Sequence, residues 1–150
     1  MDQPVLSFRS SFWVGWRWTM SVVGALLLAI SVMGLLPSWE GHLLLALVIG
    51  LESGVVLAWA VDCYPVDVTA DGIKCYDVFS RYHFAPWPTI DGVRPINVLG
   101  LRYLRVQSSA TPRPLWVPLF LSDMPGFCAA IVDRAGPDHP LAEALGAYRP

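Results

Sequence analysis

Hydrophobic residues are distributed very unevenly along this chain of 150 residues. Two nearly continuous apolar stretches, residues 18–36 and 43–61, fill the N-terminal part, and shorter runs that alternate with polar residues follow. Each stretch has 19 residues and would rise about 28 Å as a helix, close to the thickness of the hydrocarbon core of a bilayer. The pattern therefore predicts a transmembrane hairpin of two helices over residues 1–61 and a separate domain over residues 62–150.

The pattern after residue 62 predicts short β-strands. The alternating run 66–69, the turn Ala70-Asp71-Gly72 and the run 73–79 indicate a β-hairpin. Further strands are expected over residues 82–87, 89–94, 101–107 and 115–121. The loops between them contain prolines, which suit turn and edge positions better than strand centres. These prolines are Pro86, Pro88, Pro95, Pro112 and Pro114.

A helical pattern ends the chain. Ser122 or Asp123 can cap a helix that Gly136-Pro137 terminates, and a shorter helix is expected from Pro140 to Leu145. The second domain is therefore expected to be a small α+β domain. Its strands would form a meander, or partly open β-barrel, of about six to seven strands that the C-terminal helix caps.

Composition and charge support a membrane protein and exclude some partners. Hydrophobic residues make up 55% of the chain, and the mean hydropathy is +0.50, which is high for a soluble domain. Arg9 and Arg17 precede the first span and Lys74 and Arg81 follow the second, whereas the linker 37–42 has no Lys or Arg. Both termini are therefore expected in the cytoplasm, with the chain in a bacterial inner (cytoplasmic or intracytoplasmic) membrane. From Asp62 onward, eight basic and nine acidic side chains give a net charge near −1, which argues against a polybasic surface for lipid or nucleic acid.

Small residues recur every fourth position in the second span, at Ala46, Gly50, Gly54 and Ala58. Such a stripe lets another helix backbone approach closely and predicts a helix-packing face. Packing against the first span of the same chain is favoured over a homodimer.

Glu52 is the one carboxylate inside the second span, and Ser53 follows it. A carboxylate in hydrocarbon is costly and indicates a specific partner. If the two spans pair end to end, Glu52 is level with residues 26–28, which are all leucine. An intermolecular contact with a second protein is the favoured hypothesis. The alternatives are a hydrogen bond within the hairpin and a ligand or proton role, with a lipid, pigment or quinone as the ligand.

Aromatic and basic residues gather where membrane interfaces are expected. We interpret them as anchors that set depth, rather than as a site for one lipid. The segment 10–18 is expected to lie flat on the membrane before the first helix turns inward. The anchoring residues are Arg9, Trp13, Trp16, Arg17, Trp18, Trp39 and Trp59.

Four arginines of the second domain, Arg94, Arg102, Arg105 and Arg113, form a candidate cationic patch. A solvated barrel face with scattered ion pairs is the favoured reading of these positions.

No group of residues predicts an active site. His42, His83 and His139 are too far apart in sequence for a metal pair, and the spacing of Cys63, Cys75 and Cys128 lacks a CxxC motif. We therefore expect buried thiols, no metal, no enzymatic activity and no cofactor, apart from the lipid or pigment considered for the hairpin.

Four short motifs resemble those of the bacterial pleckstrin-homology-like (PH-like) membrane proteins. They are Val68-Thr69-Ala70-Asp71-Gly72-Ile73, Trp87-Pro88-Thr89-Ile90-Asp91-Gly92-Val93, Leu104-Arg105-Val106 and Trp116-Val117-Pro118-Leu119. The resemblance implies a partly open seven-stranded barrel capped by one helix, in a family of binding and scaffolding modules. It does not extend to the phosphoinositide site of eukaryotic pleckstrin-homology domains, since the loop Ala70-Asp71-Gly72 has no basic residue.

Two functions follow from these expectations. The first is a non-enzymatic accessory, scaffold or assembly subunit of a larger membrane complex, photosynthetic or otherwise energy-transducing complexes included. It would dock on other integral membrane subunits through its hairpin. The alternative is a membrane-tethered PH-like adaptor that binds lipid headgroups, a peptide or a soluble partner.

Overall fold

A computed structural model describes residues 4–33, 39–77 and 79–147. The chain forms two compact units. One is helical and comprises Ser11–Cys63, and the other, the β-unit, contains the residues up to Ser10 together with those from Tyr64 onward.

Two long helices form the helical unit. Helix α1 is Phe12–Val32 and helix α2 is Trp39–Cys63. Helix α1 has 21 residues and a mean hydropathy of 1.4, and among the helices as described it is the one long and apolar enough to cross a membrane. Both helices begin earlier than predicted. Segment 10–18 was expected to lie apart from the first span, but from Phe12 on it is continuous with α1, because no proline or glycine pair interrupts it.

The two helices pack against each other through glycines of α2. A Cβ atom built on Gly50 would lie 3.9 Å from Met20 Cε, and one on Gly54 would lie 2.5 Å from Trp16 Cζ3. Because the higher-numbered glycine meets the lower-numbered partner, the helices run in opposite directions. The absence of side chains at these glycines allows the close approach.

The β-unit contains two antiparallel sheets. The four-stranded sheet has the order β1 (Leu6–Phe8), β2 (Val66–Val68), β3 (Gly72–Tyr76) and β4 (Tyr82–Pro86). The three-stranded sheet has the order β5 (Ile90–Val98), β6 (Leu101–Ser108) and β7 (Leu115–Pro118). The described strands form two sheets and no closed barrel.

Strand β1 was not predicted. The sequence analysis assigned residues 1–61 to the membrane hairpin, but Leu6 pairs with Val68 and Phe8 with Val66 in the four-stranded sheet. The Ser7 hydroxyl also donates a hydrogen bond to Asp67. In the sequence, the helical unit therefore lies between β1 and β2, which are neighbouring strands of one sheet.

Strand β5 is longer than predicted. The strand was expected to end at Arg94, with Pro95 at a turn or edge position, but Pro95 lies inside β5 opposite Leu104. A proline is tolerated here because β5 is an edge strand, so no neighbouring strand needs its missing N–H group.

Two helices complete the β-unit near the predicted positions. Helix α3 is Met124–Ala135, and the Asp123 side chain accepts a hydrogen bond from Gly126 N. Helix α4 is Pro140–Gly146. The core includes Phe127 from α3, which is fully buried and meets Phe8 edge-on at 5.2 Å between ring centroids. Burial of such side chains is the main source of stability for this unit.

Candidate functional site

The surface of α2 around Glu52 is apolar. Gly50 is buried, whereas Glu52 is exposed and lies one helical turn from Val48 and Val56, which are 43% and 61% exposed. Glu52 makes no hydrogen bond or ion pair with any residue that the structure describes. Its neighbour Ser53 is half-buried. The carboxylate therefore stands on an apolar helix surface without a partner in its own unit.

The level of Glu52 along α1 differs from the expectation. Gly50 faces Met20 and Gly54 faces Trp16, so Glu52 is level with residue 18 and not with residues 26–28. The predicted linker 37–42 was wrong by four residues on the α2 side, because α2 already begins at Trp39. This shift places Glu52 nearer the α1 terminus that leads to the β-unit.

Two hydroxyl groups of α1 near this level donate hydrogen bonds within their own helix. The Thr19 hydroxyl donates to Gly15 O at 3.0 Å, and the Ser21 hydroxyl donates to Arg17 O at 2.9 Å. The exposed Arg17 side chain forms no ion pair with Glu52. Glu52 therefore has no hydrogen-bond or ion-pair partner among these three side chains of α1.

The remaining predicted membrane residues have mixed surroundings. Ala46 is half-buried on α2, and the side chains of Ala58, Trp39 and Trp59 lie outside the described residues. Trp13 is 71% exposed, whereas Trp16 is partly covered and stacks on Phe12 at 5.9 Å. Arg9, by contrast, belongs to the β-unit, where its carbonyl accepts a hydrogen bond from Ser122 N at 2.9 Å. Trp18 is half-buried on α1.

The structure brings two of the four patch arginines together. Arg94 on β5 lies directly opposite Arg105 on β6, and Arg105 lies opposite Trp116 on β7. Both arginines are exposed, and neither forms an ion pair within the described residues. Like charges placed directly across a sheet repel each other. The pair is therefore a concentrated positive charge without a counterion on the protein.

These arginines lie on the outer face of the three-stranded sheet. Residues two apart along a strand share a face, so Arg94 shares its face with Ile96 and Arg105 shares its face with Tyr103. The Tyr103 ring contacts Trp116 at 5.6 Å and Phe120 at 5.3 Å. Partial burial raises the pKa of Tyr103, so it stays neutral at physiological pH. This cationic and aromatic surface is called the outer sheet face below.

The other two arginines lie elsewhere. Arg102 is three residues from Arg105 on the same strand and therefore points to the opposite face, where it borders a cavity of about 1070 Å³ between the sheet and helices α3 and α4. The Arg113 guanidinium lies 3.8 Å from Asp77 Oδ2 and over the Phe79 ring. The predicted four-residue patch therefore reduces to a pair.

The turn that joins β5 and β6 has an unusual residue at its tip. Leu99 has φ +51° and Gly100 has φ +87°, as in a type I′ hairpin turn, where Asn or Gly is normally found first. A leucine in this left-handed conformation costs roughly 1 kcal/mol. Its side chain is nevertheless 78% exposed, and Val98 beside it is 36% exposed.

A buried carboxylate at the end of β3 was missed in the sequence analysis. Asp77 Oδ1 accepts hydrogen bonds from Phe79 N at 2.8 Å and Arg81 N at 2.9 Å, and its Oδ2 lies 3.2 Å from His83 Nε2. Burial raises the pKa of Asp77, but these hydrogen bonds and the His83 charge lower it more, so the net pKa is below 3.8. The Asp77-x-x-Ser80 spacing, typical of a turn, was the available signal. The cluster closes the turn between β3 and β4.

The histidines and cysteines are dispersed among the described residues. His139 Nδ1 accepts from Leu141 N at 3.2 Å and so begins α4, while Cys75 is buried with Sγ 3.1 Å from Trp116 O. Burial raises the pKa of the Cys75 thiol to about 12, so it stays protonated. Cys63 and Cys128 are half-buried, and no disulfide joins the three cysteines. Within the described ranges, no three potential metal ligands cluster.

Comparison with protein families, with curated proteins and with solved structures finds no match for this chain. What the protein binds must therefore be inferred from its own surfaces. Two are chemically distinctive, namely the α2 surface around Glu52 and the outer sheet face.

Proposed function

We propose that this chain is a non-enzymatic accessory or assembly subunit of a larger membrane protein complex. It is anchored by a two-helix transmembrane hairpin, α1 and α2, and docks on another membrane subunit through the α2 surface around Glu52. The observation that carries this proposal is the exposed, unpaired Glu52 carboxylate on an apolar helix. A carboxylate in hydrocarbon is retained when a partner satisfies it.

Strand pairing supports two membrane crossings. Strand β1 precedes α1 in the chain and β2 follows α2, yet the two strands pair in one sheet. A sheet cannot extend through a bilayer with open edges. A chain that crosses the membrane through α1 must therefore cross back through α2, whose 25 residues rise about 37 Å.

The architecture of the β-unit supports a binding role. Two antiparallel sheets of four and three strands, followed by helices α3 and α4, are the features of this unit that support the PH-like proposal. The polar clusters described in this unit close turns and cap helices. We therefore propose a PH-like scaffold that contacts the cytoplasmic parts of the same complex.

Purification of the full chain in mild detergent tests the docking role. We expect a second membrane subunit to co-migrate in stoichiometric amount on native gels, and Glu52→Leu to release it. Glu52→Gln should retain much of it, because an amide can still form hydrogen bonds. The matched control is Glu40→Leu, which removes an exposed carboxylate from the first turn of the same helix. A lone protein in every variant would overturn the proposal.

A topology assay tests the membrane hairpin independently. Single cysteines introduced near Val5 and in the turn Leu99-Gly100 should be labelled by a membrane-impermeant reagent only from the cytoplasmic side of oriented vesicles. The native cysteines would first be replaced by serine or alanine. Labelling of the two positions from opposite sides would exclude an even number of crossings.

A further inference from the structure

The β5–β6 hairpin and the outer sheet face have chemistry that docking through α2 does not use. We propose that this hairpin is a second membrane contact: its tip enters the surface of an anionic bilayer, and Arg94 and Arg105 bind lipid phosphates. This second contact deepens the proposed function and rests on it only for membrane attachment, which keeps the β-unit close to a bilayer.

The order of residue types along the hairpin matches the layers of a bilayer surface. Leu99 is at the tip, and the pair Ile96–Tyr103 follows about 7 Å behind the Val98–Leu101 pair that flanks the turn. The pair Arg94–Arg105 lies about 13 Å behind that flanking pair. Aliphatic tip, aromatic middle and cationic base correspond to acyl chains, interface and phosphates.

The depth of these layers is also suitable. The headgroup region of each leaflet is roughly 5–7 Å thick, and interfacial segments enter by about 5–10 Å. With Leu99 at that depth, the arginine backbones lie several ångströms outside the level that the tip has entered, and their long side chains reach back to the phosphates. The outer face is thus spaced to contact acyl chains and phosphates together.

The charge of this face favours an anionic surface. The only acidic residue in the sequences of β5, β6 and β7 is Asp91, which lies at the irregular start of β5. The directly opposed pair Arg94–Arg105 gains from a shared counterion that relieves its mutual repulsion. An acidic protein would supply charge as well, but it gives no reason for an aliphatic tip.

Because Leu99 is in a left-handed conformation, one substitution there should have opposite effects on the stability of the fold and on membrane docking. Asn suits the first position of a type I′ turn better than Leu does, so Leu99→Asn should raise thermal stability. The same change removes the aliphatic tip and should weaken docking. A variant that folds better and docks worse cannot be explained by misfolding.

Hydrogen–deuterium exchange of the full chain in nanodiscs tests the inference. We expect exchange in the segment 96–103 to be slower in nanodiscs that contain phosphatidylglycerol than in purely zwitterionic ones. Each arginine near an anionic membrane is worth roughly a fivefold factor, so Arg94→Gln with Arg105→Gln should lower the docked-to-undocked ratio about 30-fold. Added salt should act in the same direction.

Arg81→Gln is the matched control, because Arg81 is also exposed but lies outside the three-stranded sheet, beside the start of β4. It should leave the lipid effect unchanged. Equal exchange on both lipids, or an equal loss with Arg81→Gln, would overturn the inference while leaving Glu52 docking intact. Protection that requires a protein partner and ignores lipid charge would assign the face to an acidic protein and also overturn it. A chain that fails to enter nanodiscs would overturn membrane attachment and this inference together.

Discussion

The packing of α1 on α2 can be tested with a graded series of glycine-to-alanine substitutions. Gly54 lies under the Trp16 ring, Gly50 has Met20 at ordinary contact distance, and Gly24 has no atom within 4 Å of an added Cβ. All three positions are helical. The same methyl group is therefore added in three environments that differ mainly in the space available.

Helix propensity and steric strain oppose each other in this series. Alanine is more favourable than glycine in a helix interior by about 0.8–1.0 kcal/mol, so Gly24→Ala should stabilise the chain by up to about 1 kcal/mol. At Gly54 the added Cβ would be 2.5 Å from Trp16 Cζ3, and such overpacking typically costs about 1–3 kcal/mol. The propensity gain cancels between the two variants, so Gly54→Ala should be about 1–3 kcal/mol less stable than Gly24→Ala. Gly50→Ala should resemble Gly24→Ala.

The assay is unfolding of the purified full chain in mild detergent, titrated with a denaturing detergent and followed by circular dichroism. Trp16 must move to admit the methyl group, so a second readout is tryptophan fluorescence in the folded state, which should change for Gly54→Ala alone. Equal stability of Gly54→Ala and Gly24→Ala would refute the contact between Trp16 and Gly54. It would also remove the helix register that places Glu52 level with residue 18.

Two further predictions concern the β-unit. Phe127→Ala should destabilise this unit by about 3–5 kcal/mol in chemical denaturation, because the ring is fully buried against Phe8. The control is Val132→Ala, at a position 44% exposed on the same helix, which should cost much less. Equal losses of stability in the two variants would contradict the described core. The pKa of Asp77 is below 3.8 in the folded chain, so its ionised form contributes stability above pH 3.8 that is lost as the pH falls through the folded pKa. Asp77→Asn should lower the melting temperature at pH 7, and the difference from the unsubstituted chain should shrink between pH 5 and pH 3; a constant difference would show that the carboxylate charge is not involved.

Local patterns in the sequence predicted much of the β-unit. The turn Ala70-Asp71-Gly72, the cap Asp123 and the stop at Gly136 identified the first hairpin and helix α3, because turn and cap residues act on the backbone within a few positions. Pro95 misled the prediction of β5, since a proline disfavours a central strand but not an edge strand. Edge position is a property of the sheet, and a single strand does not reveal it.

The candidate sites were also predicted only in part, because their surroundings depend on how the elements pair. Residue types identified Glu52 and the arginines as unusual. The level of Glu52 along α1 was mispredicted, because it depends on where the chain turns between the helices. The spacing of Arg102 and Arg105 on one predicted strand already places them on opposite faces, whereas only strand pairing placed Arg94 against Arg105.

The sequence by itself determined the apolar helices, most strand segments and the turn chemistry, because each depends on neighbours a few residues away. The tertiary structure alone decided that Leu6–Phe8 joins the sheet beside Val66–Val68, although the whole helical unit separates these two strands in the sequence. It also decided the helix register set by Trp16 on Gly54. Both depend on contacts between segments far apart in the chain, whose free energy is gained only when the complementary surfaces meet.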